Sequence, residues 1–147
     1  AANFQPTPKT LADQRSGVLQ EVSLSENVDH LTETGFLLEA RQALREWEAE
    51  FPLSKISGDF LLREAKIYMR LRDWKRARPM LEAYCREIDA SSYLPEAVSL
   101  LIQCVEHSQT PPSAIVEIVQ KVQGRMKFHP VAAKLETFLQ RAGATPR

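Results

Sequence analysis

The 147-residue chain has little of what marks several classes of protein. Its two cysteines, Cys85 and Cys104, are too few for a disulfide framework and lack CxxC spacing. We expect both to be free and buried on helices, with a bridge between neighbouring helices as the alternative. Its apolar runs are too short to span a bilayer. Its 19 basic and 19 acidic residues cancel, which argues against a general nucleic-acid binder.

The sequence also lacks the motifs that carry common chemistries. No GxSxG, P-loop or GxGxxG is present, and the five glycines are scattered. The three histidines, His30, His107 and His129, have no metal-ligand spacing, and Cys104 with His107 is only half of a zinc pattern. We therefore predict no catalytic residue, no metal, no cofactor and no enzymatic activity.

The first residues show no recognisable targeting signal. The chain starts at Ala1 without the basic, apolar and small-residue order of a signal peptide. We expect a soluble, processed or excised fragment from either the cytoplasm or an exported protein. Residues 1–22 show no sustained pattern, so we expect this segment to be extended or poorly ordered.

A repeat of 37 residues organises the rest of the chain. At this shift, apolar triplets spaced i, i+4, i+7 recur four times, and each makes one face of an amphipathic helix. The triplets are Leu24/Val28/Leu31, Leu61/Ala65/Tyr68, Val98/Ile102/Val105 and Leu135/Leu139/Ala142. A second helix in each unit pairs a small residue with a larger one, at Ala40/Leu44, Ala77/Leu81 and Ala114/Ile118. We predict that the small residues are buried where neighbouring helices approach closely, and that the larger ones fill the groove between these helices.

These patterns predict an all-α fold without strands. Ser23 and Glu26 are spaced as a capping box that would start the first helix, and Gly143 suits a left-handed C-cap. Turn residues separate the helices at Gly35, at Arg72 and at residues 110–112. We predict seven helices, near 23–34, 36–51, 58–71, 74–89, 95–107, 112–127 and 131–142.

The repeat resembles the tetratricopeptide repeat family. The resemblance is strongest over residues 35–84, where one stretch looks like half of a unit and the next like nearly a whole one. The matching residues are Gly35, Ala40, Leu44, Trp47, Phe51 and Pro52, then Ala65, Tyr68, Asp73, Trp74, Ala77, Leu81 and Tyr84. The usual period is about 34 residues, whereas this chain keeps 37, and its third unit is degenerate. HEAT-like repeats are the lesser alternative.

The resemblance implies a right-handed α-solenoid over residues 23–143, with three hairpins, a C-terminal capping helix and a tail at 144–147. In this family the first helices of the units line a concave surface that holds a peptide or partner helix. A basic stripe on the first helix of the second unit, Arg63, Lys66 and Arg70 beside Met69, is our predicted partner site for an acidic segment. A solvated face with ion pairs to the preceding acidic helix is the alternative.

The first helix of the third unit is apolar on most sides. Val98, Leu101 and Ile102 would form a groove floor, or be buried by neighbouring helices. The sequence thus predicts a non-catalytic scaffold that binds another protein or another part of its parent chain. The alternatives are an accessory domain of a larger enzyme and, less favoured, a helical-repeat nucleic-acid binder.

Overall fold

A computed structural model describes residues 11–56, 58–88 and 91–144. All regular structure in these ranges is helical, and none of them forms a strand. The seven α-helices are α1 (Leu11–Thr34), α2 (Leu37–Glu50), α3 (Gly58–Arg70), α4 (Trp74–Glu87), α5 (Leu94–His107), α6 (Val116–Arg125) and α7 (Val131–Arg141). Short 3-10 helices lie at Pro52–Ile56 and Pro112–Ile115. The predicted all-α class and the prediction of seven helices are confirmed for this part of the chain.

The first helix is longer than predicted. Residues 11–22 belong to α1, so the expectation of an extended or poorly ordered segment is wrong for them, while residues 1–10 lie outside the described residues. Ser23 and Glu26 stand inside α1 and therefore form no capping box. Inside a helix each backbone N–H already donates to the carbonyl four residues earlier, so no N–H is left for a capping side chain to accept from.

The chain divides into two compact units, Ala1–Pro52 and Leu53–Arg147, and the predicted repeat domain covers parts of both. The first unit is an antiparallel hairpin of α1 and α2. Its buried side chains include Val28, Ala40, Leu44 and Trp47. The indole Nε1 of Trp47 donates to the Glu21 carboxylate at 3.0 Å, which satisfies the one polar atom of a side chain that is 3% exposed.

In the second unit, α4 packs against both α3 and α5, and α7 closes against α6. A continuous apolar core runs through these helices. It includes Leu62, Ala65, Ala77, Leu81, Tyr84, Leu94, Ala97, Val98, Leu101, Ile102, Val105, Ile115, Ile118, Val119, Val122, Leu135, Phe138 and Leu139. The ammonium of Lys121 on α6 donates to the Arg86 carbonyl, a cation placed at the C-terminal end of α4 where the helix dipole favours it.

The 37-residue interval is present in the backbone. Three residues with positive φ follow α1, α3 and α5 at this interval: Gly35 at 87°, Arg72 at 58° and Gln109 at 58°. The residue after each one donates its N–H to the carbonyl five residues earlier, which is the 6→1 bond of a Schellman motif. These bonds are Phe36 to Leu31 at 2.9 Å, Asp73 to Tyr68 at 2.9 Å and Thr110 to Val105 at 3.2 Å.

The C-terminal end of α7 repeats this motif. Gly143 has φ 72°, as predicted for a left-handed C-cap, and the Ala144 N–H donates to the Leu139 carbonyl at 2.8 Å. Ala144, predicted to begin a tail, is thereby tied to the helix; residues 145–147 lie outside the described residues. No helix in the described ranges combines the length and apolar character needed to cross a bilayer.

The third hairpin departs from the repeat in its second helix. Ala40 and Ala77 are fully buried, as predicted, but Ala114 is exposed within a 3-10 helix. Pro111 is extended, with φ −57° and ψ 134°, as a residue before proline usually is, and the α-helix begins only at Val116. The prediction that Ala114 is a close-packing position is therefore wrong, and Ile115 is buried next to it.

Candidate functional site

The three cations of the predicted stripe lie on the solvent side of α3. Arg70 is exposed, and Arg63 and Lys66 are half-buried. Their spacing of i, i+3, i+7 keeps them on one face of the helix. The Arg63 guanidinium also donates to the Asp59 carbonyl at 3.4 Å. We call these three residues the α3 stripe.

Met69, the fourth predicted contact residue, is not at the surface. Its side chain is 9% exposed and belongs to the core of the second unit. Because α3 contacts both α4 and α5, it buries a wider arc than one amphipathic stripe. The assignment of Met69 to a partner site is therefore wrong.

An ion pair connects the α3 stripe to α5. The Lys66 ammonium lies 2.5 Å from the Glu96 carboxylate, and the two side chains are 30% and 45% exposed. This partner lies on the following first helix, whereas the alternative sequence interpretation placed it on the preceding acidic helix. The Lys66–Glu96 contact thus brings the outer face of α3 next to the outer face of α5. Ser99 and Gln103 lie on the same face of α5 as Glu96, since they follow it at helical spacing.

The predicted apolar groove is closed. Val98, Leu101 and Ile102 are 0%, 0% and 1% exposed and lie in the shared core. The apolar sides of α5 are covered because α4, α6 and α7 all contact this helix. The groove prediction is wrong, and the alternative of burial by neighbouring helices is confirmed.

More positive charge lies at the turn between α3 and α4. Arg72, Lys75 and Arg76 are exposed there. The Asp73 carboxylate caps α4 by accepting from the Arg76 N–H at 3.2 Å, and it also accepts from the Arg76 guanidinium at 3.3 Å. The Arg76 guanidinium lies 5.8 Å from the centre of the Tyr68 ring, a cation–π distance.

A cleft of about 620 Å³ opens between α4 and the end of α5, where no sequence pattern predicted a site. We call it the Trp74 cleft; its lining is Trp74, Lys75, Arg78, Pro79, Glu82, His107, Ser108, Gln109 and Thr110. The rings of Trp74 and His107 stack at 5.1 Å with planes 12° apart. Trp74 matches a position of the repeat, which favours packing in the core, yet its side chain is only half-buried. The repeat contained a signal for this contact. Trp74 follows the turn at Arg72, and His107 precedes the equivalent turn at Gln109, 37 residues later.

The cysteine prediction is confirmed: both thiols are free and buried. Burial raises the pKa of Cys85 to about 12, and burial also raises the pKa of Cys104. The Cys104 thiol donates to the Trp74 carbonyl at 3.4 Å. Neutral, enclosed thiols are poor nucleophiles and poor metal ligands. In the described ranges, no three side chains of histidine, cysteine, aspartate or glutamate come together as a metal site would require.

Comparison of the chain with models of protein families, with curated proteins and with solved structures finds no match. The assignment of a function therefore depends on the surface itself. That surface groups cations at the α3 stripe, at the turn between α3 and α4 and in the Trp74 cleft, together with carboxylates that already pair with some of them. Such groups bind oppositely charged or hydrogen-bonding partners.

Proposed function

We propose that this chain is a non-catalytic, tetratricopeptide-like scaffold that binds another protein, or another part of its parent chain, on the outer face of its first helices. The observation that carries the proposal is the α3 stripe, which stands beside Glu96 of the next first helix through the 2.5 Å Lys66 contact. In the proposed right-handed solenoid this face is the concave surface.

The backbone supports a repeat scaffold. Positive-φ turns at residues 35, 72 and 109 give three successive hairpins the same connecting geometry at one interval. Repeats of this kind stack so that each unit contacts its neighbours, which produces an extended binding surface. The contact of α4 with both α3 and α5 is the packing that such stacking requires.

The charge arrangement favours an acidic partner segment. Arg63 and Arg70 flank Lys66 along α3, and Glu96 already balances the central cation. A partner carboxylate at the stripe would meet the two flanking arginines, whose planar guanidinium groups can donate two parallel hydrogen bonds to one carboxylate. Arg63 and Arg70 each lie about one helical turn from Lys66, on opposite sides of it. Carboxylate contacts at both arginines would suit an extended segment that runs along the stripe.

The test is a charge reversal that leaves the Lys66–Glu96 pair intact. Arg63→Glu with Arg70→Glu should abolish retention of a partner protein by the immobilised domain, measured by quantitative mass spectrometry. The retained protein, once purified, should bind the wild-type chain by calorimetry and the variant at least about tenfold more weakly.

The matched control is Lys134→Glu with Arg141→Glu on α7. These residues are exposed, and Arg141 occupies the last turn of its helix as Arg70 does in α3. The control should keep the partner, and circular dichroism should show both variants folded. If the folded Arg63→Glu, Arg70→Glu variant binds the partner as tightly as the wild-type chain, the proposed site is disproved. A mobility shift of labelled RNA at low salt would indicate a nucleic-acid partner instead.

A further inference from the structure

We propose that the Trp74 cleft is a second binding site, which takes an extended peptide carrying acidic side chains. It lies apart from the α3 stripe in residues and in elements, since α4 and the α5 end supply its lining. It can therefore exist whether or not the proposed α3 site does. Its volume of about 620 Å³ suits a few residues of a bound chain.

The first component of the site is a fixed aromatic wall. The imidazole of His107 stacks on the Trp74 ring at 5.1 Å. The Trp74 carbonyl accepts from the Cys104 thiol, so the backbone is tied to α5 as well. Pro79 adds an exposed apolar surface to the lining. A wall held in place before binding costs a ligand little ordering entropy.

The second component is positive charge. Lys75 and Arg78 are spaced i, i+3 on α4 and both line the cleft. The Arg78 guanidinium lies 2.8 Å from the Glu82 carboxylate, and the Arg86 guanidinium lies 4.0 Å from the other oxygen of Glu82. Glu82 is thus satisfied by two arginines, which leaves the exposed ammonium of Lys75 as the group that a ligand carboxylate would meet first.

The third component is a backbone acceptor. Pro79 lies inside α4 and has no N–H, so the carbonyl of Lys75, four residues earlier, lacks its usual helical donor. Lys75 and Pro79 both line the cleft. A peptide N–H can donate to this carbonyl while a neighbouring acidic side chain pairs with the Lys75 ammonium. The combination of acceptor and cation on one residue is what an acidic peptide would use.

The lining favours a peptide over a nucleic acid. A nucleic acid carries a negative charge at every phosphate, whereas the lining offers it a single exposed cation, Lys75, because Arg78 already pairs with Glu82. A phosphate group also brings no donor for the Lys75 carbonyl. An acidic peptide can place its carboxylate at Lys75 and an apolar residue at Pro79, with Glu82 left to its arginine partners.

The experiment uses the full chain on an array of immobilised random octapeptides with blocked ends. We expect the strongest binders to be enriched in aspartate and glutamate. The enrichment should vanish for Lys75→Glu and persist for Lys127→Glu, which reverses an exposed lysine in the loop between α6 and α7. Lys75 is exposed in the first turn of α4, where a carboxylate suits the helix dipole, so this variant should fold.

One of the strongest binders, labelled with fluorescein, then gives the affinity and the location. Its anisotropy should show at least about tenfold weaker binding to Lys75→Glu. In nitrogen-edited NMR spectra, the Trp74 indole N–H signal should shift, and that of the buried Trp47 should not. An absence of acidic enrichment, enrichment that survives Lys75→Glu, or an unmoved Trp74 signal would overturn the proposal. Binding of labelled oligodeoxythymidine in place of peptides would do the same.

The α3 variant separates the two proposals. Arg63→Glu with Arg70→Glu should leave the peptide-array pattern unchanged, because neither residue lines the Trp74 cleft. Loss of the pattern in that variant would instead assign the acidic binders to the α3 stripe and remove the cleft as their site.

Discussion

The second and third hairpins begin in the same way and end differently. Arg72 and Gln109 have the same φ of 58°. In both turns the next residue donates its N–H to the carbonyl five residues earlier. After the second turn, α4 begins at Trp74 and packs along α3. After the third turn, two prolines and a 3-10 helix precede α6, which contacts α5 over only a short stretch. The comparison teaches that the repeat is kept by the turn and lost in the helix that follows it.

The largest difference is expected at the small residues of these second helices. Ala77→Leu should lower the free energy of unfolding by about 1–3 kcal/mol, because Ala77 is fully buried between packed helices. Ala114→Leu, 37 residues later, should change it by no more than about 0.5 kcal/mol because Ala114 is exposed. Urea unfolding followed by circular dichroism measures both, and equal losses would show that the two hairpins pack alike.

A smaller effect is expected from the thiols of α4 and α5. The folded pKa of Cys85 is raised from 9.0 to about 12, so above pH 9 the unfolded chain loses a proton that the folded chain keeps. Stability is therefore full below pH 9 and falls as pH rises, by about 1 kcal/mol between pH 9 and 10.

Urea titrations from pH 8 to 10 test this dependence. Cys85→Ala should remove more of the slope than Cys104→Ala, because the positive charge of Arg78 opposes the burial that raises the pKa of Cys104. Tyr84, whose pKa burial raises from 10.0, would extend the loss to higher pH. A slope that neither alanine variant alters would mean that the thiols do not cause it.

The smallest effect is expected at the shared turn. Arg72→Gly and Gln109→Gly should each stabilise the chain by about 0.5–1 kcal/mol, since glycine adopts positive φ without strain but costs entropy on folding. Gly35→Ala should destabilise by about 1 kcal/mol at the matching position. Thermal unfolding provides the measurement, and a difference in sign between Arg72→Gly and Gln109→Gly would break the equivalence of the two turns.

Much of the fold could be predicted from the sequence because periodicity and turn chemistry act locally. The 37-residue shift correctly predicted the buried positions Ala40, Ala77 and Leu81. It was wrong at Ala114, where two prolines in the preceding residues override the register. It also missed the helical start before residue 23, where α1 contacts α2 through pairs that no single-helix pattern contains, such as Glu21, which accepts from Trp47.

The candidate site was less predictable because it depends on which helices meet. The solvent-side placement of Arg63, Lys66 and Arg70 follows from spacing within one helix, and the structure agrees. The burial of Met69 depends on α3 having two neighbours, and the stack of Trp74 on His107 joins residues of different hairpins. One helical wheel describes a single element, so it contains neither fact.

The left-handed position of the three turns is occupied by three unrelated residues, glycine, arginine and glutamine. Arginine and glutamine adopt this conformation although it strains them, so the turn leaves little trace in residue identity. Its trace is the interval itself. Relatives of this chain would therefore be recognised more readily by the spacing of their helix ends than by the letters found there.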